Sequence, residues 1–553
     1  MQNTVLQLDP SDNVLIALRN LRAGERISFS GRDYAIASDV PAKHKFVTEE
    51  IPVGGRVVMY GVLIGKAREP IRAGEIVTTR NTRHDSSPFR ESSHSYNWEA
   101  PDVSRWAKRT FPGYQRLDGQ VGTRNYWLVV PLVFCENRNI EVLKQAFEEE
   151  LGFAPPKIYR RQVANLVERY RSGSLHEPAP STSSPTQEGP TQEVARSKLF
   201  EHVDGVKFLI HQGGCGGTRE DTNNLCGLLA GYIHHPNVAG ATVLSLGCQH
   251  SQTAILREEI KKRNPHFKKP LLVFEQQRSG SEFKMLSEAI EGTFRAVVEA
   301  NQCVRTPAPL SSLCVALQCG GSDGFSGISA NPAVGHVSDI VAALKGRTIL
   351  SEFPELCGVE QELINRSIKP DVGARFMQLM REYAARAKAV RSGFDMNPSP
   401  GNIRDGLITD AMKSAGAARK GGTSPVTAVL DYPEYCVEPG LNLQCTPGND
   451  VESVTAQVGA GANVVLFTTG LGTPTGNPIA PVIKISTNSD LARRMSDIID
   501  IDAGPVVSGE KTIEEMGEAM VERVIEIASG QSKTKAEILQ QDDFIPWKRG
   551  VSL

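Results

Sequence analysis

The spacing of apolar positions changes along this chain, and the changes mark its organisation. Over residues 12–83, short alternating or β-branched runs (Val14–Leu18, Arg26–Phe29, Val57–Met59 and Glu75–Thr79) are separated by glycine turns, predicting a small all-β unit. Leu21-Arg22-Ala23-Gly24-Glu25 returns as Ile71-Arg72-Ala73-Gly74-Glu75, a tight turn before a strand in each copy, so two related halves are expected. Residues 85–110 are polar and irregular and read as a linker. Beyond them apolar, β-rich runs alternate with helical stretches, the pattern of α/β domains with mostly parallel sheets. Expected strands are Tyr126–Phe134, Val206–His211, Thr242–Leu246, Leu271–Phe274, Cys314–Gln318, Thr348–Ser351 and Val464–Thr468. Expected helices are Ile140–Leu151, Thr222–Ile233, Ser281–Ala300, Val337–Leu344, Gly373–Val390 and Ile513–Ala528. A Ser/Pro/Thr/Gln-rich run at about 172–193 cannot bury enough surface to fold and reads as a surface insertion or disordered loop. The stretch TPAPLSS, Thr306–Ser312, divides the remainder into units 111–308 and 309–553, after the β unit 1–84.

Composition narrows the function classes. The formal charge is −2, which gives no electrostatic reason to expect nucleic acid or an anionic membrane as partner. No apolar run reaches the roughly 18–20 residues of a spanning helix, and the first residues lack the basic start and apolar core of a secretion signal. The 10 cysteines are therefore expected as reduced thiols in a cytoplasmic protein, most of them small buried hydrophobes and some free for metal binding or catalysis.

Four of them stand out by position. Cys135, Cys215, Cys248 and Cys319 each follow the last residues of an expected strand, beside a glycine or a polar group. In open α/β sheets ligands bind outside the carboxyl ends of the strands, and thiolates gathered there suit iron or zinc. His211, four residues before Cys215, offers an imidazole at the same place. Gly320 onward lacks the spacing of a phosphate-binding loop, and Gly321-Ser322-Asp323-Gly324 misses a nucleophile elbow by one residue. A single cysteine nucleophile accounts for one thiol and not four; buried structural thiols remain the alternative.

Several strings resemble the altronate dehydratase and galactarate dehydratase family. They include Lys43-His44-Lys45 and Tyr60-Gly61-Val62-Leu63-Ile64-Gly65 in the β unit, and Val121-Gly122-Thr123-Arg124-Asn125, Gly214-Cys215, His235-Pro236-Asn237 and Gly247-Cys248 in the second. The last unit adds Cys319-Gly320-Gly321-Ser322-Asp323, Asn397-Pro398-Ser399-Pro400-Gly401-Asn402, Gly448-Asn449-Asp450, Thr468-Thr469-Gly470 and Lys484. The resemblance implies a SAF (β-clip) domain followed by α/β domains, and a metal-dependent hydro-lyase that converts a hexonate or hexarate into a 2-keto-3-deoxy acid. It implies a divalent metal, Fe(II) first and Mn second, or an iron–sulfur cluster on three of the thiols. The expected partner is a small-molecule sugar acid, with a homo-oligomer as a further expectation.

On that resemblance, His44, His211, Cys135, Cys215, Cys248 and Cys319 form the metal group, from which a subset binds. Arg124 and Lys484 are the cations for the substrate carboxylate. Ser322, Thr468 and Thr469 are candidates to bind substrate hydroxyls, and Asp323, Asn397, Asn402 and Asp450 are polyol or acid–base candidates. His44, His211, His250, Asp323 and Lys484 make up the catalytic set. The chain departs from the family pattern at Leu471 and Ile403, where arginine and lysine are expected, and at Gln249-His250, where Glu and Asn are more usual. A lyase of another hydroxy acid, and a non-catalytic sugar-acid-binding protein, are therefore the alternative readings.

Overall fold

A computed structural model describes residues 4–91, 96–155, 158–175 and 197–553. The N-terminal unit is an assembly of small antiparallel sheets, as its alternating pattern requires. One joins Val5–Leu6, Val14–Ala17 and Lys45–Val47; a hairpin pairs Arg26–Phe29 with Arg32–Ala35; a third joins Arg56–Met59, Val62–Ala67 and Thr82–Arg83. The expected strand Glu75–Thr79 is only a bridge, Ile76 to Phe46. The repeated pentapeptide is a structural repeat. In each copy the glutamate N–H donates to the arginine carbonyl (3.0 and 2.9 Å), and its carboxylate accepts from the arginine N–H (3.0 and 3.2 Å).

The second unit holds a four-stranded sheet in the order Gly205–Phe208, Tyr126–Pro131, Val238–Ser245, Leu271–Glu275, every pair parallel. The third holds a seven-stranded parallel sheet in the order Val426–Leu430, Gly440–Gln444, Arg347–Leu350, Cys314–Cys319, Val464–Thr469, Val482–Ser486, Ile501–Asp502. The central strands are buried at every position, because parallel sheets are covered on both faces. Period two sorts their side chains: Val315 and Leu317 enter one core, while Cys314 and Ala316 enter another shared with Leu128 and Val130 of the smaller sheet. The two sheets thus have a common interior, into which helices Arg219–His234 and Asp450–Gly459 also pack.

Two expected boundaries are structured. Arg305–Pro309, overlapping the presumed break, is a strand pairing antiparallel with Thr110–Gln115. In the presumed linker, Trp106 is buried in the core of the last unit and donates to Glu522 at 2.9 Å. Trp98 donates to Thr423 at 3.1 Å, so this segment straps the last unit. The expected insertion lies outside the described residues apart from 172–175. No described helix is long and apolar enough to cross a membrane.

Candidate active site

The carboxyl edge of the seven-stranded sheet gathers a buried cluster of charge. Strand Cys314–Cys319 ends with Gln318 and Cys319, and strand Arg347–Leu350 runs into Glu352 and the short helix Phe353–Leu356 that carries Glu355. Helix Asp410–Ala418 brings Lys413, and the turn after it Lys420. Asp450 opens helix Asp450–Gly459, whose first turn is capped by the Asn449 side chain. Lys420 Nζ donates to Cys319 Sγ at 2.8 Å and to Glu352 Oε2 at 2.7 Å. Cys319 Sγ lies 3.4 Å from Glu355 Oε2. Lys413 Nζ bridges Glu355 Oε1 (2.6 Å) and Asn397 Oδ1 (2.7 Å), and Gln318 Nε2 holds Glu352 Oε1 at 2.7 Å.

Glu352 adopts a left-handed backbone (φ 64°), which costs a non-glycine residue on the order of 1–3 kcal/mol and is a mark of functional sites. Its N–H is tied to Thr446 Oγ1 at 2.9 Å. Gly320 closes one side of Asp450, since a Cβ there would fall 2.3 Å from its carboxylate.

Four acids share two ammonium groups here. Burial, with the nearby Glu355 charge, raises Glu352 to about 8 and Asp450 to about 7, and burial also pushes the Cys319 thiol up strongly. Burial also opposes the charge of Lys420 and Lys413, but the adjoining thiol and carboxylates more than offset it and hold both as ammonium. Burial likewise opposes ionisation of Glu355, yet the two lysines keep its pKa low. Cys319 and Glu352 therefore keep their protons at neutral pH. Cys319, Glu352 and Glu355, whose ligand atoms all lie within 4.8 Å of one another, form a sulfur and oxygen donor set of the kind a divalent metal accepts, an ion displacing those two protons.

The N-terminal domain docks beside this cluster through Lys43-His44-Lys45. Lys43 Nζ pairs with Asp323 (2.9 Å) and Asp405 (3.1 Å), His44 Nε2 meets Arg404 O at 3.1 Å, and Lys45 Nζ donates to Gly406 O at 2.8 Å. A Cβ on Gly324 or Gly406 would fall 2.3 or 2.5 Å from the Lys43 carbonyl, so the joint needs bare backbone. Asp323 is locked from behind by Ser326, Thr487 and Asn488. Asn488 also lines an open cleft of about 940 Å³ between the two domains, with Arg19, Arg493 and Ser489; Cys319 and its partners lie outside that cleft.

The structure distributes the residues singled out in the sequence over several places. Cys319, Asp450 and Asn397 come together in the cluster. Asp323, Ser322, Asn402 and Thr469 lie nearby, but the side chains of Asp323, Asn402 and Thr469 are already engaged. Asn402 completes a capping box with Ser399 and donates to Ser322 O at 2.7 Å. Thr469 Oγ1 accepts from Gly472 N at 2.9 Å, and Thr468 Oγ1 is buried on Asn331 Oδ1 at 2.6 Å.

Other expectations are corrected. Arg124 is buried at the opposite end of its strand, held by both oxygens of Glu537 (2.7 and 3.0 Å) and by Thr123 O and Ile527 O, so its fork is spent internally. Lys484 lies inside strand Val482–Ser486, bonded to Gln541 Oε1 at 2.7 Å, its pKa lowered by burial to about 8. His211 has both ring nitrogens occupied, by Pro131 O (2.8 Å) and Gly213 N (3.1 Å), and burial lowers it to about 4; it has no free lone pair for a metal. His44 stands at the domain joint on Arg404 O and belongs to neither group of metal donors found among the described residues.

Cys135, Cys215 and Cys248 are exposed on three loops at the carboxyl edge of the other sheet, with His250. These loops interlock through Phe134 N to Gly213 O (3.1 Å) and His250 N to Gly214 O (3.0 Å). The expected single metal group is therefore split, because the strand ends belong to two sheets. The C-terminal tail connects the two edges. Arg549 pairs with Asp431 after one sheet's edge strand, its N–H donates to Asp221 at the other at 2.8 Å, and Leu553 N reaches Gly216 O at 2.7 Å.

Glu352, Glu355, Lys413 and Lys420 were missed in the sequence. Ser351-Glu352-Phe353-Pro354-Glu355 places two carboxylates just past a strand end, the same signal that singled out the cysteines.

Family models match three successive stretches: the altronate/galactarate dehydratase SAF domain over residues 3–85, the D-galactarate dehydratase/altronate hydrolase second domain over 113–301, and the D-galactarate/altronate dehydratase C-terminal domain over 310–552. An altronate dehydratase of Bacillus subtilis (strain 168) is 32% identical over 530 residues, 95% of each chain. The chain belongs to the altronate/galactarate dehydratase family. It is thus an enzyme of the carbon–oxygen lyase type, with a SAF domain ahead of its parallel-sheet domains. The altronate dehydratase of Escherichia coli (strain K12) is 32% identical over 99% of each chain. The family architecture also extends to a different lyase, the (2R)-sulfolactate sulfo-lyase subunit beta of Chromohalobacter salexigens, 29% identical over 79% of this chain and 97% of that one.

Proposed function

We propose that this protein dehydrates a sugar acid, an altronate-like aldonate or a related hexarate, to a 2-keto-3-deoxy acid. The observation that carries this reading is the buried cluster at the seven-stranded edge, where acids outnumber cations and one acid is poised near neutral pH. The proton on C2, alpha to a carboxylate, is very weakly acidic, so removing it demands strong stabilisation of the charge left behind. Lys413 and Asn397, on the more open side, hold the substrate carboxylate and its growing charge. Asp450, with a pKa of about 7, takes the C2 proton and returns it to the C3 hydroxyl, which leaves as water; the resulting enol becomes the keto acid. Lys420, behind them, keeps Cys319 and Glu352 in place. A divalent ion, Fe(II) first and Mn(II) second, would be held by Cys319, Glu352 and Glu355, and supplies Lewis-acid stabilisation of charge on the substrate.

The test is an anaerobic screen of aldonates and aldarates with Fe(II), Mn(II) and Mg(II), reading keto-acid formation. Turnover of an aldonate or aldarate that is lost in Asp450→Asn supports the reading. No keto acid from any of them overturns it, and ligand-dependent melting shifts without turnover would indicate a binding protein instead. A second reading rests on Leu471, which packs beside Gly321 where the family pattern leads one to expect a cation. With that charge gone, another hydroxy acid becomes the substrate; sulfolactate belongs in the screen, with sulfite release as readout. The same proposal takes the enzyme as cytoplasmic, which cell fractionation checks, and homo-oligomeric, which sedimentation of the purified protein checks. An iron–sulfur cluster, if one is present, belongs to Cys135, Cys215 and Cys248, and iron and sulfide analysis of anaerobically purified protein decides that.

A further inference from the structure

A second set of soft and hard ligands lies outside the cluster described above. His84 Nδ1, Cys357 Sγ and a carboxylate oxygen of Asp410 all lie within 4.8 Å of one another. They come from three separate parts of the chain. His84 follows Thr82–Arg83, the last strand of the SAF domain; Cys357 follows the short helix Phe353–Leu356; Asp410 is the first residue of helix Asp410–Ala418. His84 Nδ1 is buried in contact with its ion-pair partner Asp410 Oδ1 but without a hydrogen bond of proper geometry, so imidazole and carboxylate already face each other within the group. Asp410 is buried, while His84 and Cys357 keep partial exposure, which gives an ion a route in from one side.

We propose that His84, Cys357 and Asp410 form a binding site for a divalent transition metal of the zinc type. Imidazole, thiolate and carboxylate are the three donors that zinc accepts together, with water completing a tetrahedron. Zinc-to-ligand lengths of about 2.0–2.3 Å place tetrahedral ligand atoms roughly 3.3–3.8 Å apart, so small side-chain rotations close the present set. Burial pushes the Cys357 thiol up to about 12 and holds His84 below its usual value. The free site is therefore a neutral thiol and a neutral imidazole, and the ion would displace the thiol proton on binding. Its place gives it a purpose. Cys357 lies two residues from Glu355, and Asp410 one helical turn before Lys413. An ion there would staple the exit of the SAF domain to two of the elements that furnish the charged cluster.

The experiment uses the whole protein stripped with a chelator and titrated anaerobically with Co(II) and Zn(II), reading bound metal per chain, the thiolate-to-cobalt absorption band, and melting temperature. Cys319→Ser, combined with serine at Cys135, Cys215 and Cys248, serves as background, because it removes the thiols of both other candidate metal groups. In that background one equivalent should bind with a thiolate band and raise the melting temperature. Adding Cys357→Ser should remove the band and the equivalent, and adding His84→Gln should weaken binding at least tenfold. Asp410→Asn, which keeps the shape of the side chain, is the third arm should either variant fold poorly. The proposal is overturned if the background protein takes up no ion, or if Cys357→Ser, His84→Gln and Asp410→Asn all bind as it does.

Discussion

At the edge of the seven-stranded sheet, Cys319 is 2% exposed and held between an ammonium and two carboxylates. At the edge of the four-stranded sheet, Cys135, Cys215 and Cys248 stand in solvent, with Gln277 Nε2 to Cys248 Sγ at 3.2 Å as one polar contact. The two edges occupy the same topological position, and the chain runs a tail across both. What separates them is depth. A charge taken out of water must be paired or neutralised, so at the buried edge two lysines pair with some of the four acids and the others keep their protons, whereas water serves the exposed edge. Position at a strand end nominates a residue; burial decides whether its chemistry is altered.

The comparison breaks most decisively at Lys420. Replacing it by methionine leaves Cys319 and Glu352 without their partner in a dry site. Turnover should fall 100-fold or more, with a loss of roughly 3–5 kcal/mol in urea unfolding, the usual cost of orphaning one side of a buried pair. Unchanged turnover would move the chemistry to the other edge. Arg124→Met should cost a similar 3–5 kcal/mol through Glu537, yet leave KM within about twofold, because that guanidinium supports domain packing and not substrate.

A smaller effect is expected in the pH dependence of stability. Asp450 rises from 3.8 to about 7 and Glu352 from 4.5 to about 8, so the folded state binds more protons than the unfolded one between about pH 4 and 8. Their contribution therefore makes stability fall as pH rises through that window. Asp450→Asn should flatten the slope between about pH 4 and 7 relative to the parent, measured as urea midpoints; an identical slope would mean that the acid is ionised throughout. The mildest test is thiol titration of the native protein. Cys135, Cys215 and Cys248 should react fast with Ellman's reagent and Cys319 only on unfolding. Protection of the first three in anaerobically purified protein would show that they are ligated.

Parallel strands were easy to see because complete burial writes an unbroken apolar run. Their ends were placed too late where that run continues into a buried turn: Leu132 and Val133 follow a strand that stops at Pro131. Helix Thr253–Arg263 escaped notice because only Leu256 and Ile260 are buried on it, too few for a periodic stripe. In the site, Cys319 and Asp450 were legible from strand-end position and family strings. Lys413 and Lys420 were not, since a lysine on a short helix has the same spelling whether it meets water or a buried thiol. Arg124 misled for the same reason: its string looked functional, and only coordinates reveal Glu537 waiting 413 residues away.

The joint between Lys43 and the two glycines has a practical corollary. Bare backbone at the two glycines meets the Lys43 carbonyl, while Lys43 and Lys45 reach across to Asp323, Asp405 and Gly406 O, so the leading domain is in effect a plug whose socket reads both shape and charge. Leading domains from relatives that handle other acids should seat in this body where they keep the Lys43-His44-Lys45 string, making grafted hybrids a direct route to new substrate preferences.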